Sequence, residues 1–168
     1  EIRRIHLTNR SATRRTIDLT SYAEVVLAPP ASDAMQPSFS NLFVQTEVIP
    51  LQHTIICSRR PRANDQETPW MLHSIITHGS IKTEISYETD RMEFIGHGNT
   101  VANPEAMNHE GPLSGKQGSV LDPIISIRCK FVLDPSESII VDFITGAGDT
   151  REVCEKLIKK YQDKHHKN

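Results

Sequence analysis

Apolar and polar residues alternate along most of this chain. Over residues 15–27 one parity reads Ile17, Leu19, Ala23, Val25 and Leu27, and the other reads Thr16, Asp18, Thr20, Tyr22 and Glu24. A period of two places one set on a dry face of a sheet and the other on a wet face. The same alternation carries Ile125, Ile127, Cys129, Phe131 and Leu133, with Ser126, Arg128 and Lys130 between them, and it returns at Ile139, Val141 and Phe143. Strands are predicted over 2–9 and 14–28, over 42–49 and 53–59 with a break at Pro50, over 70–78 and 81–87, and in the hairpin that Asp122-Pro123 opens. The 14–28 segment is long for a strand, so it is expected to bend or bulge before Pro29-Pro30 ends it.

Between these segments lie turns and connections. Residues 31–41 and 61–69 are polar connections, the second containing Asn64-Asp65. Residues 99–119 hold no strand pattern apart from a helical turn near 103–107, and connections of that length are often functional. Asp134-Pro135-Ser136-Glu137 forms the last hairpin turn, and Gly146-Ala147-Gly148 breaks the final strand. One convincing helix follows. Asp149 is its expected N-cap, with Glu152 completing a capping box. Val153, Cys154, Leu157, Ile158 and Tyr161 share its apolar face. Strands in series with turns between them predict a mainly β, antiparallel β-sandwich over 1–148 and a C-terminal amphipathic helix over 149–168.

Composition narrows the function classes. The 168 residues suit one domain, and a net charge of -2 argues against a nucleic-acid surface. The basic clusters Arg3-Arg4, Arg14-Arg15 and Arg59-Arg60 with Arg62 read as solvated strand ends. No run approaches the length of a membrane helix. The chain does not begin with Met and reads as an internal domain of a longer protein. Cys57, Cys129 and Cys154 fall in apolar patterns and read as buried free thiols. No zinc spacing, phosphate loop, dinucleotide fingerprint or nucleophile elbow is present, so no cofactor or metal is expected. Gly115-Lys116 fails the phosphate-loop spacing, and His165-His166 reads as a solvated helix end.

The densest chemistry lies at 86–98, where Tyr87, Glu88, Asp90, Arg91, Glu93 and His97 crowd into one stretch closed by Gly96 and Gly98. It reads as a loop or short helical turn on a β scaffold, with Asp90 and Arg91 available for a local ion pair. Glu88, Asp90 and Glu93 contain the carboxylates a stand-alone glycosidase needs. A structural or adhesive sandwich is the other alternative. Trp70 reads as a half-buried core residue rather than a sugar platform.

Five stretches carry a family resemblance: TSYAEVVLAPPASDAMQPSFSNLFVQTE (20–47), SRRPR (58–62), YETDRMEFIGHGNT (87–100), LSGKQGSVLDPIISIR (113–128) and FITGAGDTRE (143–152). In this order and spacing they resemble the glycoside-phosphorylase-like region of bacterial cyclic β-1,2-glucan synthases, relatives of cellobiose and chitobiose phosphorylases. The resemblance implies an N-terminal, galactose-mutarotase-like supersandwich that precedes an (α/α)6 barrel. In that family the barrel holds the catalytic acid and most of the sugar and phosphate subsites. The fragment is therefore expected to be non-catalytic, its helix the start of a linker. Its expected partners are the barrel of the same chain, a β-glucan substrate and a possible homodimer mate. The expected location is the cytoplasmic side of a parent anchored in the bacterial inner membrane. The resemblance places Tyr87, Asp90, Arg91, Phe94 and Gly96 nearest to substrate. Two positions depart from the pattern. Gln36 stands in place of His, weakening any ligand role for its loop. Ser136 stands in place of Gly, so the turn is expected to need no positive φ.

Overall fold

The computed structural model describes residues 1–61 and 68–165. In chain order the strands are β1 (Ile2–Thr8), β2 (Arg15–Thr20), β3 (Ala23–Glu24), β4 (Val44–Ile49), β5 (Thr54–Arg59), β6 (Trp70–His78), β7 (Thr83–Asp90), β8 (Pro123–Leu133) and β9 (Ser138–Gly148). The helices are α1 (Pro30–Met35), α2 (Pro37–Asn41), α3 (Arg91–Ile95) and α4 (Arg151–His165). One sheet has the order β1-β9-β6-β5-β4. In the other, β8 is central, with β7 on one side and β2 and β3 on the other. All of these pairings are antiparallel, as the alternation predicts.

The dry parity builds the space between the sheets. Ile125, Ile127, Cys129, Phe131 and Leu133 of β8 face Ile55, Cys57, Ile75, Ile139, Val141 and Phe143 of the other sheet. Burying each large side chain contributes about 1.5–3 kcal/mol. Cys57, Cys129 and Cys154 are free and buried, as expected. Burial pushes the Cys57 thiol up to about 12 and the Cys129 thiol up to about 11.

The outer faces are covered too, where the wet parity predicted solvent. Helix α4 lays Cys154, Ile158, Leu157 and Tyr161 over Ile56, Leu72 and Ile144 on the back of the five-stranded sheet. On the back of the other sheet, α3 and the 99–119 segment bring Phe94, Ile95 and Leu113 onto Ile124 and Tyr22. Beneath that cover Arg128 is buried, and its guanidinium donates to the carbonyls of Ala106, His109 and Gly111. Three carbonyls replace the water that the sequence pattern assigned to it, as burial of a guanidinium requires.

Several local expectations are corrected. The 14–28 segment is interrupted but does not bulge. Its register along β8 is the same at Thr20↔Arg128 and Ala23↔Ile125. Between them the Ser21 hydroxyl accepts from Ile127 N at 3.0 Å and substitutes for a ladder bond. The 31–41 connection coils into α1 and α2, each opened by a proline with φ preset for a helical first turn. Gly146 and Gly148 do not break β9, which pairs with β6 as far as Trp70↔Gly148. A side chain at Gly148 would meet Val153 Cγ1 at 2.7 Å, so the glycine lets α4 lie close to the sheet. Because β9 holds the chain through Gly148, the helix begins later than expected. Thr150 Oγ1, not Asp149, accepts from Val153 N at 3.3 Å, and Glu152 now sits at the second helical position, where its own backbone N–H and the Thr150 side chain hold its carboxyl below the usual range. Ser136 has φ 67, against the expectation of an unstrained turn. Arg59 is buried rather than solvated. The readings of Arg62, Asn64-Asp65 and His166 lie outside the described residues. Among the described residues no helix is long and apolar enough to cross a membrane.

Candidate functional site

Strand β7 extends to Asp90, so Tyr87 to Asp90 stand on the sheet rather than on a loop. Tyr87 turns into the sandwich core, its hydroxyl 3.2 Å from His53 Nδ1. Burial raises the tyrosine pKa and lowers that of His53. Glu88 points the other way and is only 2% exposed. Its Oε1 accepts from Thr89 N and Asp90 N, both at 3.0 Å, and its Oε2 accepts from the Ser114 hydroxyl at 2.5 Å. Three donors satisfy the buried carboxylate. Thr89, fully buried, donates to Lys116 O and meets the Thr46 hydroxyl at 2.7 Å. The register slips between Glu88 and Asp90, a local bulge that re-aims the strand into α3.

Asp90 is the N-cap of α3. Its Oδ1 accepts from Met92 N at 2.9 Å, and its Oδ2 lies 2.5 Å from Lys116 Nζ. Phe94 buries its ring 5.0 Å from that of Tyr22, in the cluster with Ile95, Leu113 and Ile124. Gly96 closes the helix with φ 80, and a side chain there would meet Glu105 Cβ at 2.8 Å. These contacts give Tyr87, Asp90, Phe94 and Gly96 places in the framework of the β7–α3 corner.

Arg91 differs from them. It does not pair with Asp90, which faces Lys116. Its Nε donates to Glu24 Oε1 at 3.0 Å and lies 3.8 Å from Asp122 Oδ2, while its backbone N donates to Asp122 O. Tyr22 donates its hydroxyl to the same Glu24 oxygen, and burial, reinforced by that carboxylate, pushes the phenol up to about 12. Glu24 chiefly, with Tyr22 and Asp122, raises the Arg91 pKa, whereas burial raises that of Asp122 against the pull of Arg91. Arg91, Glu24 and Asp122 line an open cleft of about 740 Å³ whose opposite wall is Pro37, Ser38, Phe39, Asn41 and Leu42.

That wall is itself held from below. Arg59 donates to Ser40 O, Ser40 Oγ and Val26 O, and its Cζ sits 5.4 Å from the Phe43 ring centre. Asn41 Nδ2 donates to Asp122 Oδ1 at 3.0 Å and ties the two walls together. Of the five residues placed nearest to substrate, only Arg91 lines the cleft. The sequence reading missed Glu24, Asp122, Phe39 and Asn41. Glu24 carried only the signature of a wet strand face and Asp122 that of a turn, so no sequence signal joined them. Among the described residues no three His, Cys, Asp or Glu side chains are placed to hold a metal ion.

Comparisons with known proteins fit this architecture. A family model described as the glycosyl hydrolase 94 supersandwich domain matches residues 1–164. The chain is 34% identical over 162 residues to the cyclic β-(1,2)-glucan synthase NdvB of Rhizobium meliloti (strain 1021). That alignment takes in 96% of this chain and spans 6% of the length of the relative. The chain belongs to the glycosyl hydrolase 94 supersandwich family.

Proposed function

We propose that this chain is a non-catalytic, carbohydrate-associated domain of a glycoside-phosphorylase-like enzyme that makes or remodels a β-1,2-glucan. In this reading it packs on an (α/α)6 catalytic barrel of the same polypeptide, and its β7–α3 corner supports the sugar site of that barrel. The parent sits on the cytoplasmic side of a bacterial inner membrane. The observation that carries the reading is the contrast within the corner. Asp90, Phe94 and Gly96 are committed to a stiff frame, while Arg91 stands at an open cleft beside the half-exposed Phe39 and Leu42 and the exposed Leu121. A rigid scaffold with a guanidinium at its surface suits a site completed from outside.

A stand-alone glycosidase is less well supported. Glu88 is buried with its oxygens engaged, and Asp90 is taken up by the helix cap and Lys116. Neither offers the pair of open carboxylates that flank a scissile bond. The test uses β-1,2-glucan and phosphate. This chain alone should release no glucose 1-phosphate above a blank. In the full-length parent, Arg91→Ala should lower phosphorolysis while the fold is kept, since an exposed ion pair contributes only about 0–1 kcal/mol. Turnover by this chain alone, or normal activity of the full-length Arg91→Ala enzyme, overturns the proposal.

A further inference from the structure

The cleft beside Arg91 has its own chemistry. Its volume of about 740 Å³ falls within the range of about 300–1,000 Å³ usual for small-ligand sites. One wall is apolar. Phe39 is 49% exposed and Leu42 40% exposed, and across the mouth Leu121 is 76% exposed. The Phe39 ring meets Phe43 edge-on at 5.4 Å, and Phe43 in turn lies against Arg59. The other wall is polar and planar, with two carboxylates and one guanidinium, and the Asn41 amide reaches it from the first wall. Glu24 and Asp122 each use part of their acceptor capacity on Arg91, Tyr22 or Asn41. A carboxylate has about four lone-pair sites and a guanidinium has five N–H donors, so both signs of hydrogen-bonding group remain for a ligand.

We propose that this cleft is a binding subsite for a short segment of β-linked glucan, held by the supersandwich itself. A pyranose ring has an apolar C–H face and a rim of hydroxyls that both donate and accept. An exposed aromatic ring next to planar bidentate groups matches both features. The charge balance selects among ligands. The lining carries Glu24, Asp122 and Arg91, and the Arg60 guanidinium donates to the Leu42 carbonyl at 2.8 Å, so the charges nearly balance and a neutral polyol forms its bonds without adding charge. The polar groups are fixed by bonds to one another, so little ordering remains to be done on binding. The choice of glucan rests on the function proposed above. The geometry of the cleft does not depend on it.

The test is a titration of this chain, isotopically labelled, with linear β-1,2-gluco-oligosaccharides, followed by backbone amide shifts. Inorganic phosphate and a β-1,4-linked oligosaccharide serve as comparison probes. Saturable shifts are expected at Phe39, Asn41, Leu42, Arg91 and Asp122. Phe39→Ala and Asp122→Asn should each weaken binding about tenfold, with amide spectra that remain those of the folded domain. Absence of saturable shifts, shifts centred elsewhere, a preference for phosphate, or unchanged affinity in both variants overturns the subsite. The full-length Arg91→Ala measurement separates the two readings. If it abolishes phosphorolysis while this chain binds no oligosaccharide, the accessory role stands and this subsite falls.

Discussion

Lys116 Nζ lies 2.5 Å from Asp90 Oδ2, whereas Arg91, the sequence neighbour of Asp90, directs its charge to Glu24. The cap geometry explains the choice. An N-cap side chain folds back over the first helical turn, while the next residue projects outward from the helix. The two charges therefore leave the backbone in different directions. Asp90→Ala removes the cap and should cost about 0.5–2 kcal/mol, read as a lower urea midpoint. Asp90→Asn keeps an acceptor for Met92 N and loses only the half-exposed pair with Lys116, so it should fall by less than about 1 kcal/mol. If Asn falls as far as Ala, the ion pair and not the cap holds the corner.

Glu88 makes a stronger claim on stability. Replacing it with Ala leaves two buried backbone donors without an acceptor, each costing about 1–3 kcal/mol. The Ser114 hydroxyl also loses its partner. Glu88→Ala should therefore lower the unfolding free energy by about 2–6 kcal/mol, and Ser114→Ala by about 1.5–3 kcal/mol, the worth of a hydrogen bond to a charge. The double variant should lose less than the sum, because the residues share a bond. Chemical denaturation of the four proteins checks this. Strict additivity would mean that the 2.5 Å contact contributes nothing to folding.

The strands and the sandwich were legible because a half-buried sheet imposes its period on the sequence. Phe94 was placed near substrate only by the resemblance, and its ring instead anchors the corner in the core against Tyr22 and Ile124. The rest was hidden for physical reasons. Ser126 and Arg128 have the parity of a wet face, yet they are buried under the 99–119 segment, and alternation says nothing about a loop folding back over a strand. Glu24, Asn41, Arg91 and Asp122 are scattered along the chain and meet only through the sheet and the α2 turn. Glycines 146 and 148 look like a strand break in sequence. Only the helix lying on them reveals the close approach that they permit.

Ser136 offers a test of stored strain. It occupies the third position of a four-residue turn closed by Glu137 N donating to Asp134 O at 3.0 Å, with Pro135 in second place and φ 67 at the serine. That is the arrangement in which glycine is favoured. A left-handed non-glycine residue costs about 1–2 kcal/mol, and the added freedom of glycine in the unfolded chain returns about 0.4–1 kcal/mol of that. Ser136→Gly should raise stability by about 1 kcal/mol or less, seen as a higher thermal midpoint, and Ser136→Ala should change little. A lower midpoint for the glycine variant would mean that the hydroxyl, not the backbone, holds this turn.

His73 gives the fold a pH dependence of definite sign. It is 5% exposed, stacked on Phe143 with ring centres 5.8 Å apart. Its nitrogens meet the Ser21 hydroxyl at 2.8 Å and the Thr145 hydroxyl at 2.9 Å. Burial, helped by the nearby Arg3 charge, lowers its pKa from 6.5 to about 4. Above pH 6.5 the ring is neutral in folded and unfolded chains alike, and no penalty arises. Below that, the unfolded chain takes up a proton that the folded chain refuses, so stability falls as pH drops from 6.5 to 4. At about 1.4 kcal/mol per unit, the full loss is about 3 kcal/mol. His53, also lowered by burial, adds in the same direction. Asp142, held below the usual carboxylate range by Arg4 and His78, contributes further down in pH. Denaturation midpoints between pH 7 and 4 should therefore decline steadily. In His73→Gln, which keeps one donor and one acceptor but cannot charge, the decline should shrink to a smaller slope set by His53, with Asp122, raised by burial, acting in the opposite sense. An equal slope in that variant would mean that His73 takes up its proton in the folded chain as readily as in the unfolded one.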